Sequence, residues 1–196
     1  MRRRVRAIVR TIKTLAAKTY YRIKGPPRVL RFSARTNREI LVLFGAKISP
    51  DFVRIHSPVT LHGFAENYSN LEIADGCLLG GNNFLDLTGR ITLEAGVSLG
   101  PGVTILTHNR FNHNEYLESR FSESCGVGDV RVGRGTGVKA HAVISKGVSI
   151  GRDAIVGGGA FVSRDVPARH FVAGVPAKTI RVLSEDGLVK PKEDAV

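Results

Sequence analysis

Six histidines, His56, His62, His108, His113, His141 and His170, are the chain's main stock of groups that exchange protons or bind metals near neutral pH. A lone histidine is ordinarily a surface or corner residue, so type alone assigns most of them no chemistry. His108 differs because it opens a long polar stretch, THNRFNHNEYLESRFSESCGVGD. His108 and His113 also stand five residues apart, a spacing open to two metal ligands, although a catalytic zinc site wants three protein ligands. Cys77 and Cys125 are too few for a disulfide framework and lack the spacing of a zinc knuckle, which points to a reducing compartment. The triplet Gly157-Gly158-Gly159 is no nucleotide fingerprint, since no helix start follows it.

Charge is unevenly placed on the 196 residues. The formal net charge of +12 arises from a first segment, 1–38, holding 13 of the 29 Lys and Arg and none of the 17 acids. The remainder is nearly neutral, so the chain is a basic arm on an ordinary globular body. With 42% hydrophobic and 23% charged residues it falls outside the disordered and transmembrane classes. The longest apolar run, around Ile40 to Phe44, is far short of the roughly 20 residues a spanning helix needs.

In the arm, Val5, Ile8, Val9, Ile12, Leu15, Ala16, Tyr20 and Ile23 recur at three- and four-residue steps and predict one amphipathic helix, ended at Gly25-Pro26-Pro27. Its remaining surface is mostly Arg and Lys. Such a helix suits either an anionic membrane surface or a neighbouring subunit. Nucleic acid is disfavoured, because the arm has no recognition motif and no aromatic interleaving. Arg6, Arg10, Lys13 and Lys18 interrupt any apolar signal-peptide core, and an organellar transit peptide is disfavoured by the absence of a cleavage-like break. The expected localisation is cytoplasmic, peripheral on the inner membrane face.

The elements that position these residues are predicted by a repeat. Val132, Val138, Ile144, Ile150, Val156 and Val162 are spaced by six, and Thr136, Ala142, Val148, Ala154, Ala160 and Val166 follow in a second column of small or β-branched residues. A period of six rotates by about 120° on an α-helix and never holds one face, whereas an even period does so on a strand. An unbroken strand of this length has no place in a small domain, so the chain must turn at short intervals into a parallel β-helix. Gly133, Gly151 and Gly157, each following a rung, are expected to supply backbone freedom at corners. The ladder continues upstream through Ile55, Leu61, Ile73, Leu79 and Leu85 with a miss at Asn67. It resumes at Leu93, Leu99 and Ile105 after a two-residue slip, then falls silent to Val130. The boundaries are a helical arm and linker over 1–47 and a β-helix over 48–166 with a protruding loop at about 107–130. A C-terminal loop, short helix and tail are expected over 167–196.

The runs VSLGPGVTILTHN and KGVSIGRDAIVGGGAFVSRDVPARHFVAGVPAKTIR resemble the hexapeptide-repeat acyltransferases, most closely the bacterial sugar O-acetyltransferases. The resemblance covers about residues 48 to 183. It implies a mainly β fold, a left-handed parallel β-helix, assembled as a homotrimer with acetyl-coenzyme A sites between subunits and no metal. It also implies acetyl transfer to a hydroxyl of a sugar or saccharide precursor. By the match, His108 is the general base that takes the hydroxyl proton as the bond forms, and the Ala140 N–H faces the oxyanion. Gly157, Gly158 and Gly159 admit the pantetheine arm, Lys178 and Arg181 match phosphate-contacting positions, and Ser163 is a further coenzyme candidate. His141 neighbours the oxyanion donor and is a candidate to line the site. The partner that orients His108 stays open among Glu115, Glu118 and Glu123 in the loop and Asn83 and Asp86 on the facing coil. Relatives with small acceptors often carry a tryptophan where Gly137 stands; this chain has none, so that wall is open or built differently.

Two alternatives keep the coil and change the function. A β-helical zinc hydratase resembling carbonic anhydrase would use His108 and His113, with a third ligand expected at Glu72, where no histidine stands. A non-enzymatic scaffold held on a membrane by its arm would bind no coenzyme A.

Overall fold

The computed structural model describes residues 2–63, 66–110, 114–121, 125–184 and 189–190, without the side chains of residues 2–10, Glu118 and residues 189–190. His113 and Glu123 therefore lie outside the described residues, as do the side chains of Val5, Ile8, Val9 and Glu118.

Helix α1 (Arg2–Lys24) is followed by α2 (Ala34–Leu43), whose N-cap Ser33 accepts the Thr36 N–H. The chain then winds through three repeating faces. The first face stacks Lys47–Ile48, Leu71–Ile73, Ile91–Leu93, Val130–Val132 and Ser149–Ile150 in parallel, with a last bridge from Ile150 to Val166. The second stacks Arg54–Ile55, Leu78–Leu79, Ser98–Leu99, Gly137–Val138, Ile155–Val156 and His170–Ala173. The third stacks Val59–His62, Asn83–Asp86, Thr104–Ile105, Val143–Ile144 and Phe161–Val162. The result is a parallel β-solenoid of about five turns.

The two sequence columns are its interior. Val132, Val138, Ile144, Ile150, Val156 and Val162 are each at most 2% exposed, and Thr136, Ala142, Val148, Ala154, Ala160 and Val166 at most 5%. Corners carry their own six-residue mark: Gly135, His141, Gly147, Asp153 and Gly159 all have positive φ. The freedom expected of Gly133, Gly151 and Gly157 resides at these positions instead. Gly133 serves close approach, since a Cβ there would stand 2.6 Å from the Arg152 backbone nitrogen of the next coil.

The irregular steps of the ladder fall on one edge, between the third and first faces. There Leu61 to Ile73, Leu85 to Leu93 and Ile105 to Val132 each take more than six residues, whereas the registers on the faces stay aligned. The long excursion leaves through His108–Asn109 and returns through Gly126–Val127, paired antiparallel, and holds α3 (Glu115–Arg120). At the N-terminal end α2 covers the open core with buried Ile40 and Leu41, and its Asn37 Nδ2 donates to the Ile55 carbonyl. At the other end an antiparallel hairpin, His170–Ala173 with Lys178–Leu183, continues the second face, and the described part of 167–196 holds no helix. A strand edge there demands hydrogen-bond partners, and the hairpin supplies them.

Candidate active site on the edge between the third and first faces

Asp86 ends a third-face strand and is fully buried, with a leucine rung, Leu85, before it. Its carboxylate collects donors on both oxygens. Oδ2 accepts the backbone N–H groups of Thr107 (2.8 Å) and His108 (3.0 Å) and lies 2.5 Å from His108 Nδ1. Oδ1 accepts the Thr88 N–H (3.1 Å) and hydroxyl (2.7 Å). Burial pushes the Asp86 carboxyl up, but hydrogen bonds from Thr88, His108 and the Thr107 backbone outweigh it and hold the group well below the usual carboxylate range. An ionised carboxylate only accepts, so the proton between it and His108 resides on Nδ1 and the lone pair is on Nε2. The His108 side chain is 23% exposed, half-buried at the mouth of the excursion.

His62, one coil earlier and in register with Asp86, completes the cluster. Its ring stacks on His108 with centroids 5.9 Å apart and planes 7° apart, and on Phe84 at 5.9 Å. Its Nδ1 is 3.8 Å from Asp86 Oδ1. Gly63 follows with φ +73°, and a Cβ there would overlap Thr88 Oγ1 and Asp86 Oδ1. The sequence reading missed His62. The signal was present, because His62 and Asp86 each directly follow a ladder rung, Leu61 and Leu85.

Among the described residues, His62, Asp86 and His108 bring one ligand atom each within 4.8 Å of one another, the geometry a metal would use. Both Asp86 oxygens are already committed to five donors, so coordination would break the network that orients His108. The arrangement is built to hold one imidazole with its Nε2 free. The third zinc ligand sought at Glu72 points to a different role, since Glu72 pairs with Lys47 at 2.9 Å on the first face.

The other sequence candidates divide between edges. Of the proposed partners of His108 among the described residues, Asp86 is the one that reaches it. Glu115 is exposed at the start of α3. Asn83 is a correction: it points into the prism, fully buried, and its Oδ1 accepts the Val103 N–H rather than facing an acceptor. Ala140, His141, Gly157, Gly158 and Gly159 line the edge between the second and third faces. His141 has φ +59° and sets its ring against Gly102, so it is a corner residue away from His108. Gly157 is required by Ala173, whose Cβ would be 2.8 Å from an added Cβ, and the Gly159 N–H donates to the Ala140 carbonyl. Gly158 is exposed between them, and Lys178, paired with Ala173, stands beside the same edge. Arg181 is exposed further along the hairpin, opposite Phe171. Ser163, expected with the glycines, lies instead on the His108 edge, two coils further down.

No protein-family model matches the sequence. The galactoside O-acetyltransferase of Escherichia coli (strain K12) is 28% identical over 95 residues, which is 48% of this chain and 45% of that protein. A 2,3,4,5-tetrahydropyridine-2,6-dicarboxylate N-acetyltransferase of Staphylococcus aureus (strain JH9) is 54% identical over 48 residues, 24% of this chain and 20% of its own. The chain thus spans less than half the length of these curated relatives. Among solved structures, the hexapeptide-repeat-containing acetyltransferase of Vibrio cholerae O1 biovar eltor, complexed with acetyl coenzyme A, superposes with TM-score 0.62 at 23% identity, covering 76% of this chain and 79% of that one. Sequence and coil together liken this chain to the hexapeptide-repeat acetyltransferases, and its body is a β-solenoid that fits their left-handed parallel β-helix.

Proposed function

We propose that the chain is an acetyl-coenzyme A-dependent O-acetyltransferase acting on a hydroxyl of a sugar or saccharide precursor, in the cytoplasm, with His108 as general base. The observation that carries this reading is the buried Asp86 carboxylate on His108 Nδ1, which leaves Nε2 as an acceptor. The acetyl coenzyme A bound by the Vibrio cholerae neighbour and the O-acetyl transfer named for the Escherichia coli relative support the choice of donor and acceptor.

In this mechanism Nε2 takes the acceptor hydroxyl proton as the oxygen attacks the thioester carbonyl. The imidazolium that forms is stabilised by Asp86, whose charge is already fixed by five donors. Collapse of the tetrahedral intermediate expels the thiolate, which takes the proton back from Nε2, so that an acetyl ester and free thiol leave a neutral imidazole. Removing the base from such a site costs typically 10² to 10⁴ in rate. His108 and the Ala140 N–H belong to different edges of one prism, separated by the third face. A homotrimer that sets the His108 edge of one copy against the glycine edge of the next supplies both halves.

The test is release of free thiol from acetyl-coenzyme A against a panel of sugars and lipid-linked saccharides. The expected result is hydroxyl-dependent release that His108→Ala abolishes while coenzyme binding persists. Release that is unchanged in His108→Ala, or absent with every acceptor, overturns the reading. Stoichiometric zinc with hydratase activity would transfer the case to the carbonic anhydrase-like alternative.

A further inference from the structure

Helix α1 meets the body through one narrow face. Thr14 is buried and its hydroxyl is 2.8 Å from that of Thr36. Lys18 pairs with Glu39 at 3.3 Å, and the Tyr21 ring packs edge-on to Phe32. At about 100° per residue, the point opposite Thr14 and Tyr21 is occupied by Ile12, Ala16, Thr19 and Ile23, with Leu15 and Tyr20 beside them. These residues are exposed: Ile12 by 61%, Leu15 by 65%, Tyr20 by 55% and Ile23 by 80%. A helix packed on a globular body ordinarily turns its apolar stripe inward. Here most of the stripe is turned outward, and the contact with the body is made by Thr14, Ala17, Lys18 and Tyr21.

From this reversal we infer that α1 lies on an anionic lipid surface, with Ile12, Leu15, Tyr20 and Ile23 in the acyl boundary. Charge selects the occupant. Residues 1–38 hold 13 Lys and Arg and no acid. Lys13, Arg22 and Lys24 are exposed and flank the outward face, where they meet headgroup phosphates and carboxylates. A second copy would offer its own arm with the same charge. Tyr20, with an apolar ring and a polar tip, suits the boundary between headgroups and chains. Among the described residues no helix is long and apolar enough to cross a membrane, so α1 lies on the surface and does not span it. The inference stands on the arm alone and is independent of the chemistry proposed for His108.

The experiment is flotation of the full chain with vesicles of phosphatidylcholine, with and without phosphatidylserine, at low and high salt. The partner variant is Ile12→Glu combined with Ile23→Glu, both at exposed positions. The expected result is flotation that needs phosphatidylserine, weakens with salt, and falls about tenfold or more in the double variant. The melting temperature and the sedimentation mass of the variant should match those of the parent. Absence of flotation, equal flotation on neutral vesicles, or equal flotation by the variant overturns the inference. So does a change of sedimentation mass in the variant, which would assign the outward face to a second copy.

Discussion

Asp86 Oδ2 lies 2.5 Å from His108 Nδ1 and at the same time accepts the backbone N–H of His108 itself. One carboxylate oxygen thus fixes both the main chain and the ring of the residue it serves. The backbone bond sets where the excursion leaves the coil, and the ring bond sets which nitrogen faces outward. His62 stacks against the imidazole plane and restricts rotation of the ring.

Asp86→Asn keeps the shape and removes the charge. The amide can present its NH₂ to Nδ1 and favour the tautomer with the proton on Nε2, which cannot act as a base. Turnover should fall by about 10- to 1000-fold with the KM for acetyl-coenzyme A little changed. Steady-state kinetics check the split; an equal loss in both parameters would mean the variant has damaged the fold instead.

The same carboxyl makes stability depend on acid. Its folded value is depressed below the ordinary carboxylate value of about 3.9, so its contribution is complete above that value and is lost as pH falls towards the folded one. The stability gap between the parent and Asp86→Asn should therefore be constant near neutrality and close below about pH 4. Denaturant unfolding at a series of pH values measures it; a gap that widens on acidification would contradict the direction.

If the reacting groups come from two copies, inactive variants should rescue one another. His108→Ala disables one edge and Gly158→Leu obstructs the other. Co-expressed, they should recover a measurable fraction of parental thiol release, at least about tenfold above either alone, because some interfaces in mixed assemblies keep both intact edges. Activity assays on the co-purified mixture decide it, and no recovery would place both halves of the site within one copy.

Leu99 is a rung of the second face, 1% exposed between Leu79 and Val138. Leu99→Ala should cost about 2 to 5 kcal/mol, since stacked coils cannot collapse to fill the gap. Denaturant midpoints at neutral pH test the magnitude.

Much of this was legible in the residues. The six-residue columns led directly to the buried rungs, because inward-facing positions of a coil have to be aliphatic or small. His108 was legible from its place where the ladder stops. Its partner was not, because Asp86 is defined by a pairing between coils, and Glu115, Glu118 and Glu123 all stand nearer in sequence. His62 was passed over for the same reason: its type suggests a surface residue, and only register places it beside Asp86. The C-terminal hairpin was not legible, because Lys178–Leu183 does not follow the coil's period; it pairs antiparallel with the final strand.

The three long departures from the six-residue step sit on the edge that holds Asp86 and His108, while the strands above and below keep their alignment. Load-carrying walls and variable fittings are thereby separated within one winding. Segments of very different length are accommodated at that corner without disturbing the stacked interior, so the fitting can change there while the architecture stays as it is.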